Sequence, residues 1–146
     1  SGMMFEDFVK EGSVRKVSAD RQLAKSLVKI ALLRLKNLEA TKITDENSFS
    51  VVENCYEAIR ELIDALMSLK GFKSYSHEAN IEFLRKFYLV NVGYANMNKI
   101  DRYRRIRNDI KYEGLLTTKS EADEILENTN IIINVLMKLL EREGLK

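Results

Sequence analysis

The amino-acid sequence predicts an all-α protein, a single-domain antiparallel bundle of four or five helices. Apolar residues recur at steps of three and four positions along several long segments, which is the periodicity of helices with one buried face. The alternating apolar pattern of a half-buried strand is missing, so we expect no strand. The chain of 146 residues contains no proline, as suits long helices.

The first 17 residues are expected to lie outside the bundle. Ser1 and Gly2 precede two methionines and have the form of residues left by an expression tag. A short amphipathic segment with Phe5, Phe8 and Val9 follows, which either docks on a neighbouring element or frays. The predicted division is therefore a tag remnant and arm over residues 1–17, and a bundle over residues 18–144.

Two long helices are predicted over residues 18–40 and about 45–70. Ser18 is a candidate N-cap for the first helix, and Gly71 ends the second where a glycine is preferred. The predicted core stripes are Leu23, Leu27, Ile30, Ala31, Leu35 and Leu38 in the first helix, and Val52, Cys55, Tyr56, Ile59, Leu62, Ile63, Leu66 and Leu69 in the second.

A third helix is predicted to begin after Ser76, a preferred N-cap residue. Its apolar stripe is Ile81, Leu84, Phe87 and Tyr88. Residues 90–99 contain several asparagines and Gly93, so we expect a loop or a broken helix there.

An arginine-rich helix follows and is predicted to end at Gly114. The last helix begins at Thr118 or Ser120 and extends to Gly144. Its first turns are acidic, which complements the positive end of the helix dipole.

The overall charge is nearly balanced, with 24 basic and 22 acidic residues and a net charge of +2. This balance excludes a protein held on nucleic acid by bulk charge, and we expect no DNA sequence readout. Any basic patch must therefore be local.

Several classes of protein are excluded by what the sequence lacks. Cys55 is the only cysteine, so no intramolecular disulfide or cysteine-based zinc site forms, and we expect a buried thiol. No apolar run approaches the roughly 20 residues of a membrane span, and no signal peptide is evident. We expect a cytoplasmic protein that requires no cofactor.

Four carboxylates recur along the second helix, at Glu53, Glu57, Glu61 and Asp64. No histidine accompanies them at ligand spacing, so we expect no metal site. They are interpreted as a solvated flank, with Arg60 and Asp64 spaced for an i,i+4 ion pair. Alternatively, one of Glu57, Glu61 and Asp64 forms an ion pair with Arg107.

The segment IDRYRRIRNDIKYEG, residues 100–114, carries four arginines within six positions. At about 100° per residue, Tyr103, Ile106 and Ile110 share one stripe, which should face the core. Arg107 lies at the border of that stripe, where an arginine must extend to solvent or be held by a partner.

The other polar residues of this helix divide into a flank and a pair. Arg104, Asn108 and Lys111 share the flank, whereas Arg105 and Asp109 are spaced for an i,i+4 ion pair. Two interpretations stay open for this helix. Either it is a solvated face with one structural arginine, or the flank and Arg107 bind an anionic ligand, helped by Tyr112, because guanidinium groups bind phosphate bidentately.

His77 is the only histidine and lies at or next to the start of the third helix. One interpretation is packing at the helix start, with capping by Ser76. The other is a role at the ligand site, because a loop between two core helices can approach the arginine-rich helix.

A family resemblance rests on residues 56–85, YEAIRELIDALMSLKGFKSYSHEANIEFLR, followed by IDRYRRIRNDIKYEG. Together these segments resemble the HEPN superfamily (higher eukaryotes and prokaryotes nucleotide-binding), over residues 18–141. The resemblance implies a helical bundle that forms a homodimer, in which two arginine-rich helices share a ligand. Many HEPN proteins are RNases in toxin–antitoxin, CRISPR or abortive-infection systems, and some pair with a minimal nucleotidyltransferase.

The active motif of that family is an arginine, an adjacent polar residue, and a histidine five to seven positions after the arginine. Arg107 and Asn108 match its first two positions, but Tyr112, Glu113 and Gly114 occupy the histidine positions. Tyrosine titrates near about 10 and is a poor base at neutral pH. It can still donate a hydrogen bond to a phosphate.

Three functions follow from these residues. The first is a HEPN-like protein that binds a nucleotide, RNA or a partner protein without efficient catalysis. The second is a metal-independent endoribonuclease that uses Arg107, Asn108 and Tyr112. The third is a helical assembly subunit that binds no small ligand.

Overall fold

The computed structural model of the protein describes residues 2–145. This range contains six α-helices and one two-stranded sheet, and it confirms the predicted all-α fold class. In chain order the elements are α1 (Phe5–Glu11), β1 (Val14–Lys16), α2 (Arg21–Glu39), α3 (Ser48–Lys70), β2 (Phe72–Ser74), α4 (His77–Val92), α5 (Tyr94–Glu113) and α6 (Lys119–Arg142).

Helix α3 is the centre of the fold, because it packs against α2, α4, α5, α6 and β2. Its residues Ile59, Leu62 and Leu66 have no exposed surface. Cys55 is buried on the same helix, as predicted, and burial raises the pKa of its thiol to about 11. Side chains on the solvent-facing edge of α3 are therefore held at fixed positions beside α4 and α5.

Helix α2 differs from its prediction in its start and in its buried face. Asp20, and not Ser18, caps the helix by accepting a hydrogen bond from the Leu23 N–H at 2.9 Å. The backbone before it is tied to the end of α3, since the Val17 N–H donates to the Gly71 carbonyl at 2.8 Å. The buried residues of α2 are Ala24, Ala31, Leu35 and Leu38, whereas Leu23 and Ile30 are about half exposed.

The prediction that the chain contains no strand is wrong. β1 and β2 pair antiparallel, with Arg15 directly opposite Lys73. Each strand has only three residues, too few to show an alternating pattern in the sequence. The pairing joins segments that are far apart in the chain, so local propensity does not reveal it.

Gly71 ends α3 in the left-handed conformation, with φ of 81°, as predicted. The backbone just after β1 passes so close that a Cβ atom at residue 71 would lie 2.7 Å from the Val17 carbonyl oxygen. Only glycine satisfies both the backbone angle and this close approach. The path of the ribbon formed by β1 and β2 is set at this point.

The N-terminal arm docks on the chain itself. Phe5 and Phe8 of α1 are buried, and the Phe5 ring packs edge-on against Phe72 at 5.1 Å between ring centroids. Phe83 and Phe87 of α4 complete this aromatic cluster. The arm thereby covers the β2–α4 side of the core.

The connections around α5 are short. Gly93, with φ of 84°, is the only residue between α4 and α5, so of the two alternatives for residues 90–99 the structure has the broken helix and not the loop. Gly114 ends α5 and Thr118 caps α6, both as predicted. No helix in residues 2–145 combines the length and apolar character needed to cross a bilayer.

Candidate anion-binding site

The predicted site residues of α5 face the first turn of α4 and one edge of α3. His77 is the first residue of α4, and its ring stacks on Tyr56 of α3 at 5.6 Å between centroids. Arg104 and Arg107 of α5 are close enough for their charges to lower the pKa of His77. We call Arg104, Arg107, His77 and Tyr56 the arginine–histidine cluster.

The apolar stripe of α5 fixes the direction in which its arginines point. Ile100 and Tyr103 are buried, whereas Ile106 and Ile110 are partly buried against the core. Arg107 is partly buried at the edge of this stripe. The guanidinium group is thus held near the protein surface and next to α3.

Arg107 keeps most of its hydrogen-bonding capacity. Its Nη1 donates to the Asn108 Oδ1 at 3.3 Å, and no carboxylate in residues 2–145 lies within ion-pair distance of it. A guanidinium group has five N–H donors, so this weak contact leaves several available to a ligand.

The carboxylates that were candidate partners for Arg107 are paired with other arginines. Glu57 and Asp64 hold Arg60, at 2.8 and 2.5 Å. Glu61 holds Arg34 at 2.8 Å. The predicted Arg60–Asp64 pair is confirmed, whereas a direct carboxylate partner for Arg107 is not found in the described part of the chain.

Arg104 is oriented by Asp101, which accepts from its Nη2 at 2.9 Å and from its Nε at 3.2 Å. Arg105 also pairs with Asp101, at 3.1 Å, so the predicted pair with Asp109 is wrong. An acidic residue N-terminal to its basic partner is the better orientation on a helix, which favours Asp101 over Asp109.

His77 is a partly buried imidazole with one unused polar atom. Its Nδ1 is buried and has no hydrogen-bond partner among residues 2–145. Burial lowers the pKa of His77, and Arg60 and Arg107 lower it further, while Glu57 opposes them. The ring is therefore neutral at pH 7. Ser76 caps α4, accepting from the Ala79 N–H at 3.2 Å, so the capping interpretation holds for Ser76 itself.

The electrostatic coupling is mutual across the site. Burial alone raises the pKa of Glu57, but its hydrogen bond with Arg60 and the charges of Arg60, Arg107 and His77 outweigh burial and lower it. Burial raises the pKa of Tyr56, and the charges of Arg104, Arg60 and Arg107 oppose that shift. The ionisable side chains of α3, α4 and α5 therefore interact electrostatically around Tyr56 and His77.

Two predicted site residues lie further along α5. Lys111 and Tyr112 are exposed, and the Lys111 ammonium lies 5.6 Å from the centre of the Tyr112 ring. No hydrogen bond in the described range joins either residue to Arg107 or His77. Asn108, by contrast, contacts Arg107 directly.

Two concave surfaces adjoin the cluster. A cavity of about 140 Å³ lies between Arg60, Tyr75 and His77, and a cleft of about 350 Å³ adjoins Arg104. Neither is lined by Arg107. No group of three potential metal ligands occurs among residues 2–145.

Sequence reasoning missed the role of Tyr56 and the ion pair of Arg60 with Glu57. Tyr56 belongs to the predicted core stripe and is indeed buried, but it also carries the stacked His77 ring. The spacing of Glu57, Arg60 and Asp64 at i, i+3 and i+7 was the available signal for a charged network on this edge of α3.

The chain was compared with protein-family models, curated proteins and solved structures, and it matches none of them significantly.

Proposed function

We propose that the protein binds a phosphate group of a nucleotide or of RNA at the arginine–histidine cluster, without efficient catalysis. Arg107 supplies the principal contact, with Arg104, His77 and Asn108 around it. The observation that supports this proposal is the state of Arg107, a partly buried guanidinium with no carboxylate within ion-pair distance in residues 2–145.

The physical argument starts from the free energy of an uncompensated charge. Keeping a partly buried guanidinium without a counter-charge costs stability. The candidate carboxylates of α3 are engaged by Arg60 and Arg34, so they do not relieve that cost by direct pairing. A phosphate would relieve it, because its oxygens match the planar donor fork of arginine.

The HEPN resemblance adds context to this proposal. A HEPN-like binding protein of this kind would act as a homodimer in a toxin–antitoxin or defence system, with a minimal nucleotidyltransferase as a candidate partner. Lys111 and Tyr112 would then contact the parts of the ligand that extend beyond the phosphate.

Calorimetric titration with uridine 3′-methylphosphate tests the phosphate site, because this ligand carries one base and one phosphodiester. We expect Arg107→Gln to weaken binding at least about tenfold, as loss of a charge-assisted hydrogen bond costs about 1.5–3 kcal/mol. Arg102→Gln is the matched control: it removes an exposed arginine from the same helix. Equal effects of the two substitutions would contradict the proposal.

A second candidate is metal-independent RNA cleavage, and the position of His77 favours it. His77 on α4 would take the place of the histidine missing from α5, since the charge of Arg107 reaches its ring. Its neutral imidazole would take the proton of a 2′-hydroxyl, whose oxygen attacks phosphorus and displaces the 5′-oxygen, which is protonated on leaving. Arg107 would stabilise the charge on the phosphoryl oxygens.

Incubation with a labelled mixed RNA tests this second candidate. Cleavage that is lost in both Arg107→Gln and His77→Asn, but kept in Arg102→Gln, would establish it. If the unsubstituted protein binds the RNA but does not cleave it, only the non-catalytic binding function is left.

A further inference from the structure

The ribbon formed by β1 and β2 carries an unusual arrangement of charge. Arg15 and Lys73 are directly opposite each other, and like charges at such a position destabilise an antiparallel pair. Neither residue forms an ion pair within residues 2–145. The guanidinium carbon of Arg15 and the ammonium of Lys73 both lie 5.7 Å from the centre of the Tyr75 ring.

Tyr75 is an aromatic side chain presented to solvent on a fixed backbone. It is 60% exposed, yet its N–H donates to the Ser13 carbonyl at 2.8 Å and extends the ribbon ladder. The next residue, Ser76, caps α4. An exposed ring near two cations, on a fixed backbone, has the chemistry of a stacking platform for a base whose adjacent phosphates are neutralised.

The ribbon and the arginine–histidine cluster share one concave surface. Tyr75 and His77 line the same cavity of about 140 Å³. Two residues of extended chain span at most about 7 Å, so the two side chains are neighbours. The one carboxylate in this cavity, Asp64, is compensated, since it pairs with Arg60 at 2.5 Å and accepts from Asn80 at 2.8 Å.

We infer that Arg15, Lys73 and Tyr75 form a second subsite, which extends the phosphate site into a groove for a single-stranded polynucleotide. One base stacks on Tyr75, Arg15 and Lys73 bind the phosphates beside it, and a neighbouring phosphate reaches Arg107. The inference rests on the proposed function, because it assigns the same site a longer ligand.

The features of the ribbon favour a single strand over other anionic partners. Stacking on a side chain requires a base that is not already stacked in a duplex. A membrane surface recognised by charge alone requires a larger cluster of basic residues than two opposite cations. Charge complementarity and an exposed ring together match a flexible chain of bases and phosphates.

Anisotropy titrations with a labelled oligouridylate, compared with uridine 3′-methylphosphate, test the inference. We expect the oligouridylate to bind more tightly, and Tyr75→Leu to weaken its binding about fivefold to one-hundredfold, the range for loss of one base–aromatic stack. The same substitution should change uridine 3′-methylphosphate binding much less.

The double variant Arg15→Gln/Lys73→Gln tests the two cations. It should reduce the slope of log K against log salt by about 0.7 per lost phosphate contact. Lys36→Gln/Lys138→Gln is the matched control, because it removes two exposed lysines from α2 and α6. Circular dichroism of each variant verifies that the fold is retained.

The possible outcomes separate the inference from the proposed function. An oligouridylate that binds no more tightly than the small ligand, or that responds equally to the ribbon and control variants, overturns the second subsite. Oligouridylate binding that depends on Tyr75 but not on Arg107 overturns the proposed function instead. Equal binding of oligothymidylate supports recognition of the single strand without its 2′-hydroxyls, whereas preference for duplex RNA or anionic vesicles overturns the inference.

Discussion

Arg34 and Arg107 are both partly buried arginines on long helices, but their surroundings differ. Arg34 donates to both oxygens of Glu61, at 3.1 and 2.8 Å, and to Asn54 at 2.8 Å. The hydrogen bond with Glu61 raises the pKa of Arg34. Arg107 has one weak contact with its neighbour Asn108. The fold therefore uses one guanidinium internally and leaves the other available to a ligand.

The largest effect expected from this comparison is on stability, from Arg34→Gln. Glu61 is only 5% exposed, so removal of its partner would leave a buried carboxylate uncompensated. We expect the free energy of unfolding to fall by about 2–4 kcal/mol, below the full value for a buried pair because Arg34 is itself partly exposed. Urea unfolding, followed by circular dichroism, measures this change.

Arg107→Gln is the counterpart in the same unfolding assay. Its free energy of unfolding should not fall by more than about 0.5 kcal/mol, because the substitution breaks no ion pair. A loss as large as that of Arg34→Gln would show that Arg107 has a structural role and would remove the distinction between the two arginines.

The next effect is on the pH dependence of binding. Burial and the charges of Arg60, Arg107 and Arg104 hold the pKa of His77 below its ordinary value of 6.5, against the opposing charge of Glu57. A bound phosphodiester adds negative charge, so the pKa of His77 must rise on binding, and a proton is taken up. Affinity for uridine 3′-methylphosphate should therefore increase as the pH falls towards the lowered pKa of His77, by up to about tenfold per pH unit.

The stability of the free protein should change in the opposite direction over that range. The unfolded chain binds a proton at His77 more readily than the native state, so this contribution is complete above pH 6.5 and is lost as the pH falls towards the lowered pKa. His77→Gln should remove both pH dependences. Binding that keeps its full pH dependence in His77→Gln would exclude His77 as the titrating group.

The smallest effect is expected from Asp101→Asn. Asp101 pairs with both Arg104 and Arg105 at the edge of the cluster. Removal of its charge makes the local potential more positive, so affinity for uridine 3′-methylphosphate should rise by about twofold to fivefold, the range for an exposed ion pair. Weaker binding in calorimetry would show instead that Arg104 needs Asp101 to hold its orientation.

The sequence predicted those parts of the structure that depend on local patterns. Apolar periodicity indicated the bundle, and Ser76, Thr118 and Gly114 were recognised at helix ends because cap residues act within one turn. The position of Arg107 beside the core stripe followed from helical geometry in the same way.

The parts that were missed depend on contacts between distant segments. Residue spacing does not indicate which of Arg34 and Arg107 has a carboxylate partner, because only the packing of α2 on α3 brings Glu61 to Arg34. The ribbon likewise arises because Val14–Lys16 meets Phe72–Ser74. Such choices of partner are decided by tertiary packing and have no signature in residue spacing.

The close approach at Gly71 gives a way to separate the two halves of the proposed groove. A single methyl group placed there would collide with the Val17 carbonyl oxygen just after β1, so this backbone, and with it β1 and Arg15, would have to shift. Arg107 on α5 would keep its place, and no charged or aromatic side chain would be altered. A substitution of Gly71 would thus change the part of the groove beyond the phosphate site by steric exclusion alone, without changing any charge.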